Sequence, residues 1–166
     1  MALSLEAKKA VVAEVSEVAS SALSVVGAEY RGMTVEQLTQ LRVNAREQGV
    51  YLRVVPNNLA KRSVEGTEFE CMRSELVGPL ILGFSMDDPG AAARVIGDFS
   101  KDNDKLVVKL IAIGGEVLPA SQLKAVAALP TRDQAIAMLM GVMKAPVEKL
   151  VRTLAEPHAK LVTFAA

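Results

Sequence analysis

The sequence predicts an α/β protein with a small single-sheet N-terminal domain, flanking helices, and a long C-terminal helix extending from that domain. Hydrophobic residues make up 51% of the 166, which is enough to form a core. Short apolar runs alternate with segments of helical periodicity up to residue 130, and only helical periodicity continues from Arg132 onward. We therefore predict two domains, residues 1–130 and residues 131–166.

The N-terminal segment predicts a helix and then a strand. Residues 5–24 place Val11, Val15 and Val18 at helical spacing, which is typical of a helix with one buried face. The apolar run at residues 25–28 that follows is too short for a helix. It therefore indicates a short buried strand.

The second helix has a well-marked start. Thr34 is the expected N-cap, and Gln37 completes a capping box, in which each side chain binds the backbone N–H of the other residue. Gly49 supplies the stop, because glycine readily adopts the left-handed conformation that ends many helices.

A strand, a short helix and a further capping box are predicted next. Residues 50–55 alternate in the manner of a strand with two different faces. The PNN sequence at residues 56–58 interrupts this pattern and is expected to cap a short helix. Thr67 and Glu70 have the spacing of a second capping box.

The apolar run at residues 78–84 predicts a strand buried on both faces, because glycine flanks it and it is short. Asp88 followed by Pro89 is typical of a helix start, with the aspartate as cap and the proline in the first turn. That helix is expected to run to about Phe99.

A hairpin completes the sheet. Residues 106–113 form its first strand, the two glycines at 114–115 its turn, and residues 116–118 its second strand. A helix over roughly residues 121–128 closes the domain. The pattern predicts four or five strands in one sheet.

The C-terminal segment repeats itself with a period of eleven residues. A capping box at residues 131–134 predicts its start, and PVEKLV at 146–151 recurs as PHAKLV at 157–162. Eleven residues are close to three helical turns, so equivalent residues return to the same face about 16 Å farther along the axis. This pattern favours tandem docking of identical partners; packing on its own domain and self-association are alternatives. Pro146 and Pro157 are expected to bend or segment the helix.

The charged residues are unevenly distributed, although 19 basic side chains balance 19 acidic ones. Residues 1–62 have eight basic and six acidic side chains, whereas residues 63–100 have two and seven. The largest local excess of basic residues lies at 42–62. Phosphate recognition needs several cations at modest spacing, so this patch indicates binding to folded RNA, with ordinary solvated arginines as the alternative.

Few residues suggest catalysis, metal binding or a membrane. Cys71 has no neighbouring histidine and is expected to pack in the core, while His158 is expected at the surface. Asp88, beside Asp87, is better explained as a helix cap than as a metal ligand. The sequence contains no P-loop, no G-x-G-x-x-G motif, no apolar stretch long enough to span a membrane and no signal-peptide pattern. We expect a cytoplasmic protein without enzymatic activity or cofactor.

Six segments between about residue 3 and residue 155 are distinctive in their order and spacing: LEAKKAVVAEVSEVAS, YRGMTVEQLTQLR, GVYLRVVPNNLAKRSVEGTEFE, LVGPLILGF, DPGAAAR and KLVRTLA. Together they resemble the bacterial stalk-base protein of the large ribosomal subunit, the family of large-subunit protein number ten.

The resemblance implies an α/β domain that binds large-subunit rRNA of the GTPase-associated region beside the neighbouring stalk-base protein number eleven. It implies a C-terminal helix that holds dimers of the acidic stalk protein, which recruit translational GTPases, and repression of the protein's own operon as a further role. The candidate RNA-binding residues are Lys8, Lys9, Arg31, Gly32, Arg42, Arg46, Arg53, Asn57, Asn58, Lys61 and Arg62. The candidate docking residues for the stalk protein are Ile136, Leu139, Met140, Met143, Val147, Leu150, Val151 and Leu154.

The chain departs from the family pattern in two regions. Pro56 stands where the family usually has a basic residue, and Asn58 where it usually has threonine. The ending PHAKLVTFAA replaces a charged, alanine-rich ending, so we expect two stalk dimers, with three as the alternative. A protein-only adaptor whose basic patch is merely solvated is the alternative function.

Overall fold

The computed structural model describes residues 4–103 and 105–165, with side chains described up to residue 156. The chain divides into two compact units, Met1–Leu129 and Pro130–Ala166. The predicted mixed α/β architecture is confirmed. Within the described ranges, no helix is both long enough and apolar enough to cross a membrane.

The first unit alternates helices and strands in the predicted order. Its helices are α1 (Leu5–Ser21), α2 (Val35–Glu47), α3 (Asn57–Ser63), α4 (Ala91–Asp102) and α5 (Leu123–Ala127), with 3₁₀ helices at Glu68–Ser74 and Ala120–Gln122. Its strands are β1 (Ser24–Glu29), β2 (Val50–Val54), β3 (Leu80–Ser85), β4 (Val107–Ile113) and β5 (Glu116–Pro119). The second unit contains helix α6 (Arg132–Ala165).

The five strands form one sheet in the order β2-β3-β1-β4-β5, and every neighbouring pair is antiparallel. Glu29 at the end of β1 pairs with Leu80 at the start of β3 and with Val107 at the start of β4. We refer to this end of the strands as the Glu29 end of the sheet. Because β2 also finishes here, with Val54 opposite Ile81, the segments after β1 and β2 and before β3 and β4 all meet at the Glu29 end.

Helices cover both faces of the sheet. One apolar cluster joins the sheet to α2, α4 and α5, and the other joins it to α1, α3 and the first 3₁₀ helix. Strand β3 shows the consequence, since Ile81 packs in the first cluster and Leu82 in the second. This two-sided burial explains why the run at 78–84 lacks the alternation of a strand with one solvated face.

Gly27 in the central strand β1 is required by close packing. A Cβ atom at this position would lie 2.9 Å from Cγ of Leu110 on the neighbouring strand β4. The register between β1 and β4 also shifts between Gly27 and Ala28. A larger residue would have to displace a fully buried leucine.

The capping box at the start of α2 is confirmed. The Thr34 backbone N–H donates to Gln37 Oε1 at 3.0 Å, and the Gln37 N–H donates to Thr34 Oγ1 at 3.3 Å. An equivalent reciprocal pair joins Thr131 and Gln134 before α6. The hairpin turn between β4 and β5 is confirmed as well.

Two other predicted caps are wrong. The Thr67 hydroxyl donates to the Val64 carbonyl at 2.8 Å instead of capping, and a 3₁₀ helix follows. Helix α4 begins later than predicted, with Gly90 as its N-cap. Asp88 accepts the Gly90 N–H and pairs with the Arg94 guanidinium, so its carboxylate ties the preceding turn to the helix.

The prediction that Cys71 packs in the core is also wrong, because its side chain is exposed. The 3₁₀ helix that contains it buries Phe69 and Met72, which are three residues apart and so lie on the same side. Cys71 falls on another side of this narrow helix and therefore faces solvent.

Helix boundaries differ from the predictions in two further places. Helix α1 ends at Ser21, three residues earlier than predicted. The expected segmentation of the tail does not occur, since α6 continues through both Pro146 and Pro157. An interior proline removes one backbone donor and crowds the carbonyl four residues earlier, yet the helical assignment of α6 continues on both sides of each proline. The side chain of His158 lies outside those described.

Candidate nucleic-acid interface and docking helix

Three arginines surround one depression at the open edge of the sheet. Arg42 and Arg46 are exposed one turn apart on α2, and Arg53 lies on the edge strand β2. Together with the residues of β2 they line a concave surface of about 460 Å³, which we call the arginine cleft. Because guanidinium groups bind phosphate oxygens in a planar, bidentate manner, this grouping suits contact with a nucleic-acid backbone.

Arg53 differs from the other two arginines because it already has protein partners. Its guanidinium pairs with the Glu14 carboxylate of α1, and its Nη1 donates to Tyr51 Oη at 2.7 Å. The Tyr51 hydroxyl donates in turn to Glu14 Oε1 at 2.6 Å. The Tyr51 hydrogen bond, assisted by the Arg53 charge, holds the pKa of the Glu14 carboxyl below its ordinary value of 4.5. Among the described residues, neither Arg42 nor Arg46 forms an ion pair.

Residues 56–58 border a second depression, of about 480 Å³, at the Glu29 end of the sheet. The N-cap of α3 is Pro56, so the predicted cap lies within residues 56–58, although no side-chain capping bond forms. Asn57 Nδ2 instead donates to the Gly78 carbonyl at 2.9 Å, which joins the start of α3 to the segment before β3. Asn58 is exposed at the same rim.

The fold places Arg62 near Lys8 and Lys9, more than fifty residues earlier in the chain. They surround a depression of about 380 Å³ between α1 and α3, which we call the helix groove. Much of its lining is apolar, with Leu5, Val12, Ala13 and Leu59 contributing. Lys61, the neighbour of Arg62 on α3, is half-buried and lines none of these three depressions.

Arg31 and Gly32 lie in the turn after β1, at the Glu29 end. Gly32 has a φ of +86°, a conformation that favours glycine, so its identity is explained by the turn itself. Lys105 lies beside this turn, since a Cβ atom at Gly32 would be 3.8 Å from Lys105 Cδ. Sequence reasoning missed Lys105, because only the pairing of β1 with β4 brings it next to Arg31.

The candidate docking residues on α6 are all exposed. Their exposed fractions range from 45% for Ile136 to 71% for Met143. At about 100° per residue, the eight residues occupy a stripe about 120° wide along the helix, which we call the apolar stripe. Every described side chain from Arg132 to Glu156 is exposed.

The described residues show no catalytic arrangement. No group of three or more histidine, cysteine, aspartate or glutamate side chains in the described ranges is placed to hold a metal ion. Asp88, the candidate considered beside Asp87, is paired with Arg94.

Two family models match different parts of the chain. The family model "Ribosomal protein L10" matches residues 4–101, and "Ribosomal protein uL10 C-terminal region" matches residues 129–162. The large ribosomal subunit protein uL10 of Alkalilimnicola ehrlichii is 62% identical over 166 residues, covering 100% of this chain and 95% of the relative. The uL10 protein of Methylococcus capsulatus is 66% identical over 152 residues, covering 92% and 87% respectively.

These matches define a structural protein of the large ribosomal subunit and not an enzyme. The chain belongs to the ribosomal protein L10 family, which confirms the resemblance seen in the sequence. It is accordingly a component of the cytoplasmic ribosome, at the base of the stalk.

Proposed function

We propose that the first unit anchors the chain to rRNA of the GTPase-associated region, while α6 holds tandem dimers of the acidic stalk protein. The observation that supports this best is the apolar stripe, which is exposed along its length and repeats every eleven residues. A long helix with such a stripe needs a partner to cover it. The neighbouring stalk-base protein number eleven is a further expected partner, and translational GTPases are recruited indirectly through the stalk protein.

Two equivalent docking sites follow from the repeat. Residues 136, 139, 140 and 143 of the first site correspond to residues 147, 150, 151 and 154 of the second. Each site offers four large apolar side chains for a partner groove, the geometry by which amphipathic helices are commonly bound. Methionines in the first site suit an adaptable groove, because their side chains are unbranched and polarisable.

The rRNA contact is supported by the gathering of cations in the first unit. The arginine cleft, the helix groove and the Arg31 turn place basic side chains from α1, α2, α3 and β2 on its surface. Such a distribution lets a chain of zero net charge present a basic surface. The same surface, placed on a messenger leader, would serve repression of the protein's own operon.

Native mass spectrometry of the chain mixed with its cognate stalk protein tests the docking proposal. Four bound stalk copies are expected, which correspond to two dimers. Six copies would show that a third site extends into the last repeat. Absence of a complex would overturn tandem docking and favour self-association of the chain.

A substitution within the apolar stripe tests whether the two docking sites bind dimers independently. Leu150→Asp should remove one dimer and leave the other, because a charge replaces a central apolar contact of the second site only. Val142→Asp is the matched control, since Val142 is 70% exposed on the same helix but lies off the stripe. Loss of both dimers together in Leu150→Asp would show that docking is not independent.

Retention of an rRNA fragment in the presence of excess nonspecific competitor distinguishes the RNA anchor from a protein-only adaptor. The anchor should retain the fragment, and retention should weaken steeply with salt because phosphate contacts release counterions. An adaptor would bind the stalk protein yet show no specific RNA retention.

A further inference from the structure

The helix groove differs from the arginine cleft in its chemistry. The cleft is bordered by three guanidinium groups and the edge of β2. The groove instead has an apolar floor with Lys8, Lys9 and Arg62 around it. Binding of a sugar-phosphate backbone alone does not require an apolar floor, so the groove indicates a ligand with an apolar part as well as negative charge.

The apolar part of the groove is open to solvent at one end. Leu5 in the first turn of α1 is 68% exposed, whereas Val15 on the same helix is completely buried. Leu59 on α3 is partly buried against the core and forms the opposite side of the floor. Removing an exposed leucine and the adjacent apolar surface from water stabilises the complex with a ligand that covers them.

The three cations at the groove are available to a ligand. Among the described residues, none of Lys8, Lys9 and Arg62 forms an ion pair. A ribonucleotide in a single-stranded segment offers the matching features, because an unstacked base has two apolar faces and its phosphates are negative. A guanidinium group can also stack on a base, a role that Arg62 is placed to fill.

We propose that the helix groove is a nucleotide subsite. One unstacked rRNA base lies against Leu5, Val12 and Leu59, while Lys8, Lys9 and Arg62 contact that base and the adjacent phosphates. This inference rests on the proposed rRNA anchoring and deepens it, since it restricts the RNA bound here to a loop or bulge with an unpaired base.

The size of the groove favours a nucleotide over a protein partner. Its volume of about 380 Å³ lies at the small end of the range for small-molecule sites. An acidic amphipathic helix would satisfy the charges, but it would need an elongated groove to seat anchors at i, i+3, i+4 and i+7. A protein occupant is therefore an alternative outcome of the test.

The salt dependence of rRNA-fragment binding separates apolar from ionic contacts in the groove. Leu5→Asn should lower affinity about 5- to 10-fold without changing the slope of log K against log salt, because an apolar contact releases no counterions. Lys9→Gln should lower the magnitude of that slope by ~0.7, the value per phosphate for a single strand. Val35→Asn is the matched control, since Val35 is 80% exposed near the start of another helix, and both values should stay as in the wild type.

A fluorescent base analogue locates the bound nucleotide. With 2-aminopurine placed in turn at each unpaired position of the fragment, the wild-type protein should change the emission at one position, and Leu5→Asn should reverse that change. Circular dichroism verifies that each variant is folded, and Val12→Thr, which keeps the side-chain size, repeats the test at a second position.

The outcomes distinguish the subsite from the anchoring on which it rests. If the wild type binds the fragment and Leu5→Asn, Val12→Thr and Lys9→Gln all bind it equally well, the subsite is wrong and the rRNA anchoring stands. If the wild type does not bind, the anchoring itself is wrong. If Leu5→Asn weakens binding of a neighbouring ribosomal protein but not of RNA, the groove is a protein site and the proposal is overturned.

Discussion

The two compact units use apolar side chains in opposite ways. In the first unit, residues such as Leu41 and Phe84 have no exposed surface and hold the helices on the sheet. In α6, Leu139 and Leu150 belong to an apolar stripe with the helical spacing that is typical of a packed helix. They are nevertheless 60% and 61% exposed. The same residue type therefore maintains the fold in one unit and is exposed in the other.

Periodicity identifies an apolar face without identifying what covers it. Helix α1 and helix α6 both show such a face. The sheet covers the face of α1, in the cluster that contains Val15 and Ala19. The face of α6 is exposed over the part of the helix whose side chains are described.

Truncation after Pro130 should give the largest effect. The remaining fragment is expected to fold and to bind rRNA like the full chain, because its core lies within the first unit. It should lose all binding to the stalk protein. Thermal unfolding followed by circular dichroism, together with native mass spectrometry, measures both properties. An unfolded fragment would show that the units are not independent.

Replacement of a buried and of an exposed leucine by alanine should have very different effects on the free energy of unfolding. Leu41→Ala removes a completely buried side chain and should lower the free energy of unfolding by about 3 kcal/mol. Leu150→Ala removes an exposed side chain and should change it by less than about 0.5 kcal/mol. Urea unfolding of the free protein measures both. A large loss in Leu150→Ala would mean that the stripe is already covered in the free chain.

Removal of single cations should have a smaller effect, on the salt dependence of RNA binding. Arg46→Gln and Lys105→Gln should each lower the magnitude of the slope of log K against log salt by ~0.9 if each contacts one phosphate. Lys124→Gln on α5 is the control, since this exposed lysine lies outside the three depressions. A slope unchanged by Lys105→Gln would exclude that residue from the interface.

The smallest expected effect concerns pH. The pKa of Glu14 is held below 4.5 by Tyr51 and Arg53, so its contribution to stability is present above pH 4.5 and is lost as the pH falls through the lowered pKa. The difference in unfolding free energy between the wild type and Glu14→Gln should therefore shrink on acidification. Tyr51→Phe, which removes the main cause, should show a weaker pH dependence than the wild type. A difference that is constant with pH would contradict the assignment.

Local motifs were predictable where their partners are close in sequence. The capping boxes at Thr34 and Thr131 form because both members lie within one turn, and no tertiary contact competes with them. The spacing of Thr67 and Glu70 is the same, but the Thr67 hydroxyl binds the Val64 carbonyl instead. A local motif therefore predicts a cap only where its hydrogen-bonding groups have no better partner.

The candidate site was predictable in part. Basic residues can be counted in a sequence, and the grouping of Arg42 and Arg46 follows from helical spacing. The pairing of Arg53 with Glu14 does not, since it joins a strand to a helix far earlier in the chain. The sequence also does not show that Lys105 lies beside Gly32, or that Leu5 and Leu59 line one depression. In both cases the residues are far apart in the chain.

By itself, the sequence determined the order of helices and strands, the division near residue 130, the eleven-residue repeat and the family. These properties depend on periodicity, turn residues and contacts within a few positions, all of which are written along the chain. The tertiary structure decided the antiparallel strand order, the sheet end at which distant segments meet, and which cations share a depression. Those depend on burial of both sheet faces, which brings residues together across long separations in a way that local spacing does not specify.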